Sequence, residues 1–95
     1  MNENKMNENI ETEVEIAIDF NKFEFGKASH EEMITYAEKQ LKINNQITVV
    51  VSGRVPFTTW IRVQHIIESA ENVIRFDIIT QNGARFTVFD YSRTR

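Results

Sequence analysis

Ser52, Gly53 and Arg54 stand between an apolar run and a proline, and residues of these types at this spacing can bind an anion. Glycine lets the backbone turn sharply, arginine presents several N–H donors, and Pro56 suits the first turn of a helix. The unpaired amides at a helix start favour a phosphate. The alternative is a plain strand-to-helix connection, in which Gly53 supplies only backbone freedom and Arg54 is solvated.

Other basic and aromatic side chains extend this candidate site. Lys27 precedes a predicted helix and converges with Arg54 if both loops lie at the same end of the sheet. Arg62 and Arg85 are predicted supporting bases. Phe57 adjoins the Arg54 turn, so it is the aromatic residue most expected to be exposed, where it could stack on a base.

Nothing in the chain is typical of a catalytic site. There is no cysteine, and His30 and His65 lie far apart without metal-ligand spacing. Glu31 and Glu32 suit a helix cap and the helix dipole better than acid–base chemistry. No Walker loop is present. We therefore predict a protein that is not an enzyme and holds no metal and no cofactor.

Length and composition indicate one small globular domain. The chain has 95 residues, of which 41% are hydrophobic and 26% charged. So small a core is expected to be stabilised by formation of a homodimer, which would also double the number of basic side chains available to a polyanion. No apolar run approaches the ~20 residues of a membrane span. The amino terminus lacks a secretory signal, so we predict a cytoplasmic protein without membrane contact.

The acidic charge is concentrated towards the amino terminus. The net charge of −3 by itself disfavours nucleic acid as a partner. Residues 1–19 hold six acids and one base, whereas residues 20–95 hold ten bases and eight acids. We expect a disordered tail over 1–12, one domain over 13–92 and a frayed end over 93–95. The alternative for the tail is an acidic arm that competes with polyanions.

Apolar periodicity predicts the elements that position these residues. Alternation from Val14 to Phe20 indicates a strand. A bulge or a tight turn at Asn21-Lys22 would explain the change of phase up to Phe25, which leaves either one bent strand or a hairpin.

A capping box at Ser29 begins a helix over about 30–42, and its buried face is expected at Met33, Ala37 and Leu41, with Ile34 beside them. A second helix is predicted from Pro56 to about 70, with apolar spacing at Phe57, Trp60, Val63 (or Gln64), Ile67 and Ala70. The remaining predictions are a central strand over 47–51 and strands over 73–80 and 85–91 joined by an Asn82-Gly83 type I′ turn.

The order β-α-β-α-β-β predicts an α+β fold. Strand-helix-strand units favour right-handed crossovers, and the closing hairpin adds an antiparallel edge. We predict a two-layer sandwich, with one mixed sheet and two helices on one face.

Over about residues 23–91 the chain resembles the Alba superfamily of small chromatin and RNA-binding proteins. "FEFGK" ends the first strand in Gly-Lys, like the family's Ile-Gly-Lys-Lys, and "ITVVVSGR" ends in Gly-Arg, like the family's "IVIKARGR". The spacing of Gly26 and Gly53 and the order of elements also agree. The resemblance implies an Alba-like fold, with Lys27 at the first family lysine and Arg54 at the second arginine of Arg-Gly-Arg.

The chain also departs from that family. Ala28 replaces the second lysine and Ser52 the first arginine. The last hairpin is shorter than the family's basic arm, and Arg85 is its nearest base. The C-terminal domain of translation initiation factor three is similar in topology, and its middle strand also ends in Gly-Arg.

Two functions of different classes follow from these patterns. The first is sequence-nonspecific binding of the RNA or DNA backbone by a homodimer, with contacts from Lys27, Ser52, Gly53, Arg54, Phe57, Arg62 and Arg85. The second is a protein-interaction or assembly module that self-associates through its apolar helix and edge strand. The first is the leading interpretation and the second the alternative, to which the low charge of the body and the departures from the family point. A ribosome-associated factor would follow from the competing resemblance.

Overall fold

In the part of the chain that the structure describes, four strands and two helices follow one another in the predicted order. The computed structural model describes residues 13–91, and its elements are β1 (Glu13–Asp19), α1 (His30–Gln40), β2 (Gln46–Ser52), α2 (Phe57–Ser69), β3 (Val73–Ile79) and β4 (Arg85–Asp90). Strands β1, β2 and β3 lie side by side and parallel, and β4 pairs antiparallel with β3. The predicted α+β fold is confirmed. The expected tail over 1–12 and frayed end over 93–95 lie outside the described residues.

The segment that follows β1 is a turn. Phe20–Lys22 form a 3₁₀ turn that Asp19 caps, because its carboxylate accepts from the Asn21 N–H at 2.9 Å. A tight turn at Asn21-Lys22 was one of the expected explanations of the change of phase, but the structure has neither the bent strand nor the hairpin expected with it. The turn keeps Phe20 buried while it carries the chain out of the sheet.

The first helix forms where the capping box predicts it. The Ser29 hydroxyl accepts from the Glu32 N–H at 3.1 Å, and the Glu32 carboxylate accepts from the Ser29 N–H at 2.8 Å. These bonds satisfy amides that a helix start would otherwise leave unpaired. The apolar face of α1 is the predicted one and packs on the sheet through Met33, Ile34, Ala37 and Leu41.

The second helix buries a set of residues that its apolar spacing predicts only in part. Val63 and Ile67 are buried as expected, but Thr59 is also buried, with 1% of its surface exposed. Its hydroxyl is hydrogen-bonded to Nδ1 of His30 at 2.9 Å, so the polar group has a partner. Phe57 is 73% exposed, which confirms the exposure expected of it.

β2 is buried on both faces although the helices cover only one. Val49 and Val51 pack under the helices, whereas Val50 lies on the opposite face and is still only 5% exposed. On that open face Arg85 of β4 lies 3.5 Å from the carboxylate of Glu15 on β1. This ion pair spans both central strands on the face that the helices leave open.

The β3–β4 hairpin turns one residue earlier than predicted. The Thr80 carbonyl accepts from the Gly83 N–H at 3.0 Å, so the turn is centred on Gln81 and Asn82. Gly83 follows with a φ of 89°, in the left-handed region. A turn closed by a left-handed glycine replaces the predicted Asn-Gly type I′ turn.

Candidate functional site

A cleft of about 420 Å³ opens at the carboxyl ends of β2 and β3, beside the start of α2. Most of its lining is apolar and includes Val51, Val55, Trp60 and Ile78. The polar side chains of the lining are Arg54, Thr80 and Gln81. Ligands of open α/β sheets bind at the carboxyl ends of the strands, and an apolar cleft with a few polar groups is typical of a binding site.

Ser52 and Gly53 hold the end of β2 in contact with the turn after β1. The Ser52 hydroxyl donates to Oδ1 of Asp19 at 3.3 Å. Gly53 has a φ of 98°, and a Cβ added to it would lie 2.6 Å from the backbone nitrogen of Asn21. Glycine is therefore needed here for a left-handed backbone and for a close approach. These contacts between β2 and the turn after β1 explain why serine and glycine stand at the two positions, without reference to a ligand in the cleft.

Arg54 lies at the mouth of the cleft and is stacked on an aromatic ring. Its Cζ is 4.2 Å from the ring centroid of Phe25, a distance typical of a cation–π contact. Within residues 13–91 its guanidinium has no ion pair and no hydrogen bond. Arg54 therefore combines an aromatic stacking partner with a positive charge that no carboxylate among residues 13–91 neutralises.

The stacking contact brings together the two loops that carry Lys27 and Arg54. Phe25 belongs to the β1–α1 loop, in an exposed turn that the Lys27 N–H closes by donating to the Glu24 carbonyl at 2.9 Å. The two loops lie at the same end of the sheet, as expected. No contact joins the Lys27 and Arg54 side chains in the described part of the chain.

Phe57 adds an exposed ring to the rim of the cleft. It is the first residue of α2, and Phe25 across the mouth is 48% exposed. Unlike α1, α2 begins without a hydrogen bond from a side-chain cap. Two accessible rings and a guanidinium at one cleft can stack planar groups and attract an anion.

Arg62 and Arg85, the predicted supporting bases, do not extend this surface. Arg62 is exposed on α2, five residues beyond Phe57 and so about 140° around the helix. Arg85 points across the open face of the sheet, where its Nε donates to Oδ2 of Asp77 at 2.7 Å and its Nη2 lies 3.5 Å from Glu15. Carboxylates pair with its guanidinium, and the structure does not bring Arg85 to the Arg54 site.

The open face of the sheet carries a charged cluster that sequence reasoning missed. The Asp77 side chain has no exposed surface and also accepts from Nε of Arg75 at 3.1 Å. Burial by itself would raise the pKa of Asp77, but hydrogen bonds from Arg75, Arg85 and Thr87 outweigh it and hold the pKa below its ordinary value. The same bonds raise the pKa of both arginines. The available signal was the Arg-Phe-Asp alternation, which puts Arg75 and Asp77 on one face of a strand.

Comparison with known proteins adds nothing to this geometry. The chain has no match among protein-family models, curated proteins or solved structures. No helix among the described residues is long and apolar enough to cross a membrane. Within the same residues, no three His, Asp or Glu side chains are placed to hold a metal ion. The function has to be inferred from the cleft and its rim.

Proposed function

We propose that this protein binds RNA or DNA without sequence specificity, at the carboxyl edge of its sheet, as a homodimer in the cytoplasm. The observation that carries the proposal is Arg54, held on the Phe25 ring at the mouth of a cleft that Phe57 borders. Nucleic acids present phosphates and planar bases together, and arginine and aromatic side chains are the groups that bind them. The Alba-like resemblance supports the same edge through Lys27 and Arg54.

Preorganisation strengthens a site with few charges. A free arginine side chain carries about 2 kcal/mol of rotamer entropy, part of which a ligand must remove. Stacking on Phe25 restricts Arg54 before any ligand arrives, so less of that cost falls on binding. Lys27 is exposed on the same loop as Phe25 and is the second phosphate contact. Two contacts per chain predict weak binding with a modest salt dependence, and a dimer would double the number of contacts and steepen that dependence.

Charge reversal at Arg54 tests the proposal. We expect Arg54→Glu in the full chain to weaken the binding of labelled RNA and duplex DNA, and to reduce the slope of log K against log salt by roughly 0.7–0.9 per lost phosphate contact. Fluorescence anisotropy at low and moderate salt measures both. Lys42→Glu is the matched control, because it makes the same charge change in the loop before β2, at the opposite end of the sheet. Unchanged affinity in Arg54→Glu, or equal losses in both variants, would contradict the proposal.

Exposed apolar side chains favour a second candidate function, self-association as an assembly module. Ile61 on α2 is 50% exposed, and on the edge strand β4 Phe86 is 56% and Val88 40% exposed. Phe86 pairs with Ile78, so it lies on the helix-bearing face of the sheet. The exposed part of the Phe86 ring supplies some of the apolar area of the roughly 800 Å² per partner that a stable interface buries.

The molar mass of the full chain in solution tests this second candidate. Sedimentation equilibrium is expected to show a dimer for the wild-type chain and for Lys42→Glu. Phe86→Glu places a charge in the apolar surface and is expected to give a monomer. A monomeric wild-type chain would rule out the homodimer, and a dimeric Phe86→Glu would move the interface elsewhere.

A further inference from the structure

The cleft has the size and lining of a site for one flat ring. Its volume of about 420 Å³ lies towards the low end of the range for small-ligand sites. Trp60 and Phe57 line it from α2, and Val51 and Ile78 line it from the strands. Such walls bind a planar group by stacking and by removing it from water. A double helix is too wide to enter.

Arg54 gives the cleft a preference for an anionic ring compound. Its guanidinium rests on Phe25, and the residue is exposed, so a second planar group can stack against the guanidinium. Its N–H groups remain available for a phosphate, because no carboxylate pairs with Arg54 within residues 13–91. A nucleotide carries a flat base and a phosphate joined by a sugar, and matches both groups.

The polar rim on the β3 side does not select one base. The Thr80 hydroxyl is used in the hairpin turn, where it donates to Oδ1 of Asn82. The exposed Gln81 side chain has no partner among the described residues. An amide can both donate and accept, so Gln81 can pair with the edge of any base. This adaptability agrees with binding that lacks sequence specificity.

We infer that the cleft takes one unpaired base, with the adjoining phosphate at Arg54, and that the protein therefore prefers single-stranded RNA or DNA to a duplex. The inference rests on the proposed function and names the form of nucleic acid that the site takes. A base in a duplex must be unpaired and unstacked before it can enter a pocket, whereas a single strand presents its bases directly.

Trp60 reports on the cleft, because it is the single tryptophan of the chain and lines the site. Adenosine monophosphate and a single-stranded oligonucleotide are expected to change the Trp60 emission of the full chain saturably. Ribose 5-phosphate, which has the phosphate but no base, is expected to leave it unchanged. The duplex form of the oligonucleotide is expected to bind at least about fivefold more weakly than the single strand, the lower limit for one base–aromatic stack.

Phe57→Ala distinguishes the binding of a base in the cleft from the general electrostatic attraction of a polyanion. Phe57 is 73% exposed, so its removal leaves the core intact. We expect single-strand affinity to fall at least about fivefold and duplex affinity to stay the same. Thr58→Ala is the matched control, because Thr58 is exposed in the same turn of α2 and lies outside the cleft lining. It is expected to change neither affinity.

The outcomes separate this inference from the proposed function. Equal affinity for single strand and duplex, lost in Arg54→Glu and without a change in Trp60 emission, would overturn the base site and keep the proposed function. No binding of either polymer at low salt would overturn the proposed function and the inference with it.

Discussion

Replacing Gly53 by alanine tests how tightly the Arg54 loop is held against the turn after β1. Gly53 has a φ of 98°, a conformation that costs other residues about 1–3 kcal/mol. The added Cβ would also lie 2.6 Å from the Asn21 nitrogen and 2.8 Å from the Phe20 carbonyl carbon. Both are backbone atoms, which cannot rotate away as a side chain can. Overpacking of this kind costs a further about 1–3 kcal/mol.

Gly83 provides the matched control for this prediction. Its φ of 89° is similar, but a Cβ added there would have nothing within 4 Å. Gly83→Ala is therefore expected to lower the free energy of unfolding only by the cost of the left-handed backbone, without the cost of overpacking. Urea unfolding of the full chain should show Gly53→Ala less stable than Gly83→Ala by about 1–3 kcal/mol, with a thermal midpoint lower by roughly 4–8 °C for each kcal/mol. Equal losses in the two variants would refute the close approach at Gly53.

Three further predictions concern the parts of the fold that support the site. The pKa of Asp77 is lower in the folded chain than the value of about 3.9 that it has in the unfolded chain. The ionised carboxylate therefore stabilises the fold fully at pH values above the unfolded pKa, and this contribution is lost as the pH falls through the folded pKa. Urea unfolding between pH 7 and pH 2 should therefore show a steeper acid loss for the wild-type chain than for Asp77→Asn, and parallel profiles would contradict this. Ser29→Ala removes the capping box and is expected to lower the free energy of unfolding by about 1 kcal/mol, whereas Ser29→Thr should keep most of it; equal values for both variants would argue against the cap. Asn72 donates from Nδ2 to the carbonyls of Ile43 at 2.7 Å and Asn45 at 3.1 Å, so Asn72→Ala should cost about 1–3 kcal/mol in the same assay, and a neutral result would show that water replaces these bonds.

The helices and strands were predictable because their signals are local. The capping box at Ser29 and the spacing of Met33 and Ala37 depend on neighbours within two helical turns, and both predictions are confirmed. Thr59 was missed as a buried position because its partner, His30, lies on another helix. The turn that includes Asn21 and Lys22 was one of two ways to reconcile the change of phase after β1, and the sequence could not choose between them because a bulge and a tight turn shift an apolar pattern alike.

The candidate site was predictable only in part. The Gly-Arg pair after an apolar strand and the exposed Phe57 both indicated the carboxyl edge of the sheet, and the cleft lies there. Phe25 entered the sequence argument only as part of a strand pattern and a family motif. Its contact with Arg54 spans two loops that follow different strands, so no spacing in the chain reveals it.

By itself the sequence determined the order of the elements, the α+β class and the position of Arg54 at the end of a buried strand. These follow from periodicity, caps and turn residues, which act over a few neighbours. Only the tertiary structure decided which arginine side chains have a carboxylate partner among the described residues. Arg54 is stacked on a ring with no carboxylate partner in the described part of the chain, whereas Arg85 is neutralised across the sheet by Asp77 and Glu15. Both are arginines beside a strand end, and they differ in their surroundings: strand pairing places Arg85 on the open face with Asp77 of the neighbouring strand and Glu15 of β1, whereas Arg54 lies in a loop beside Phe25.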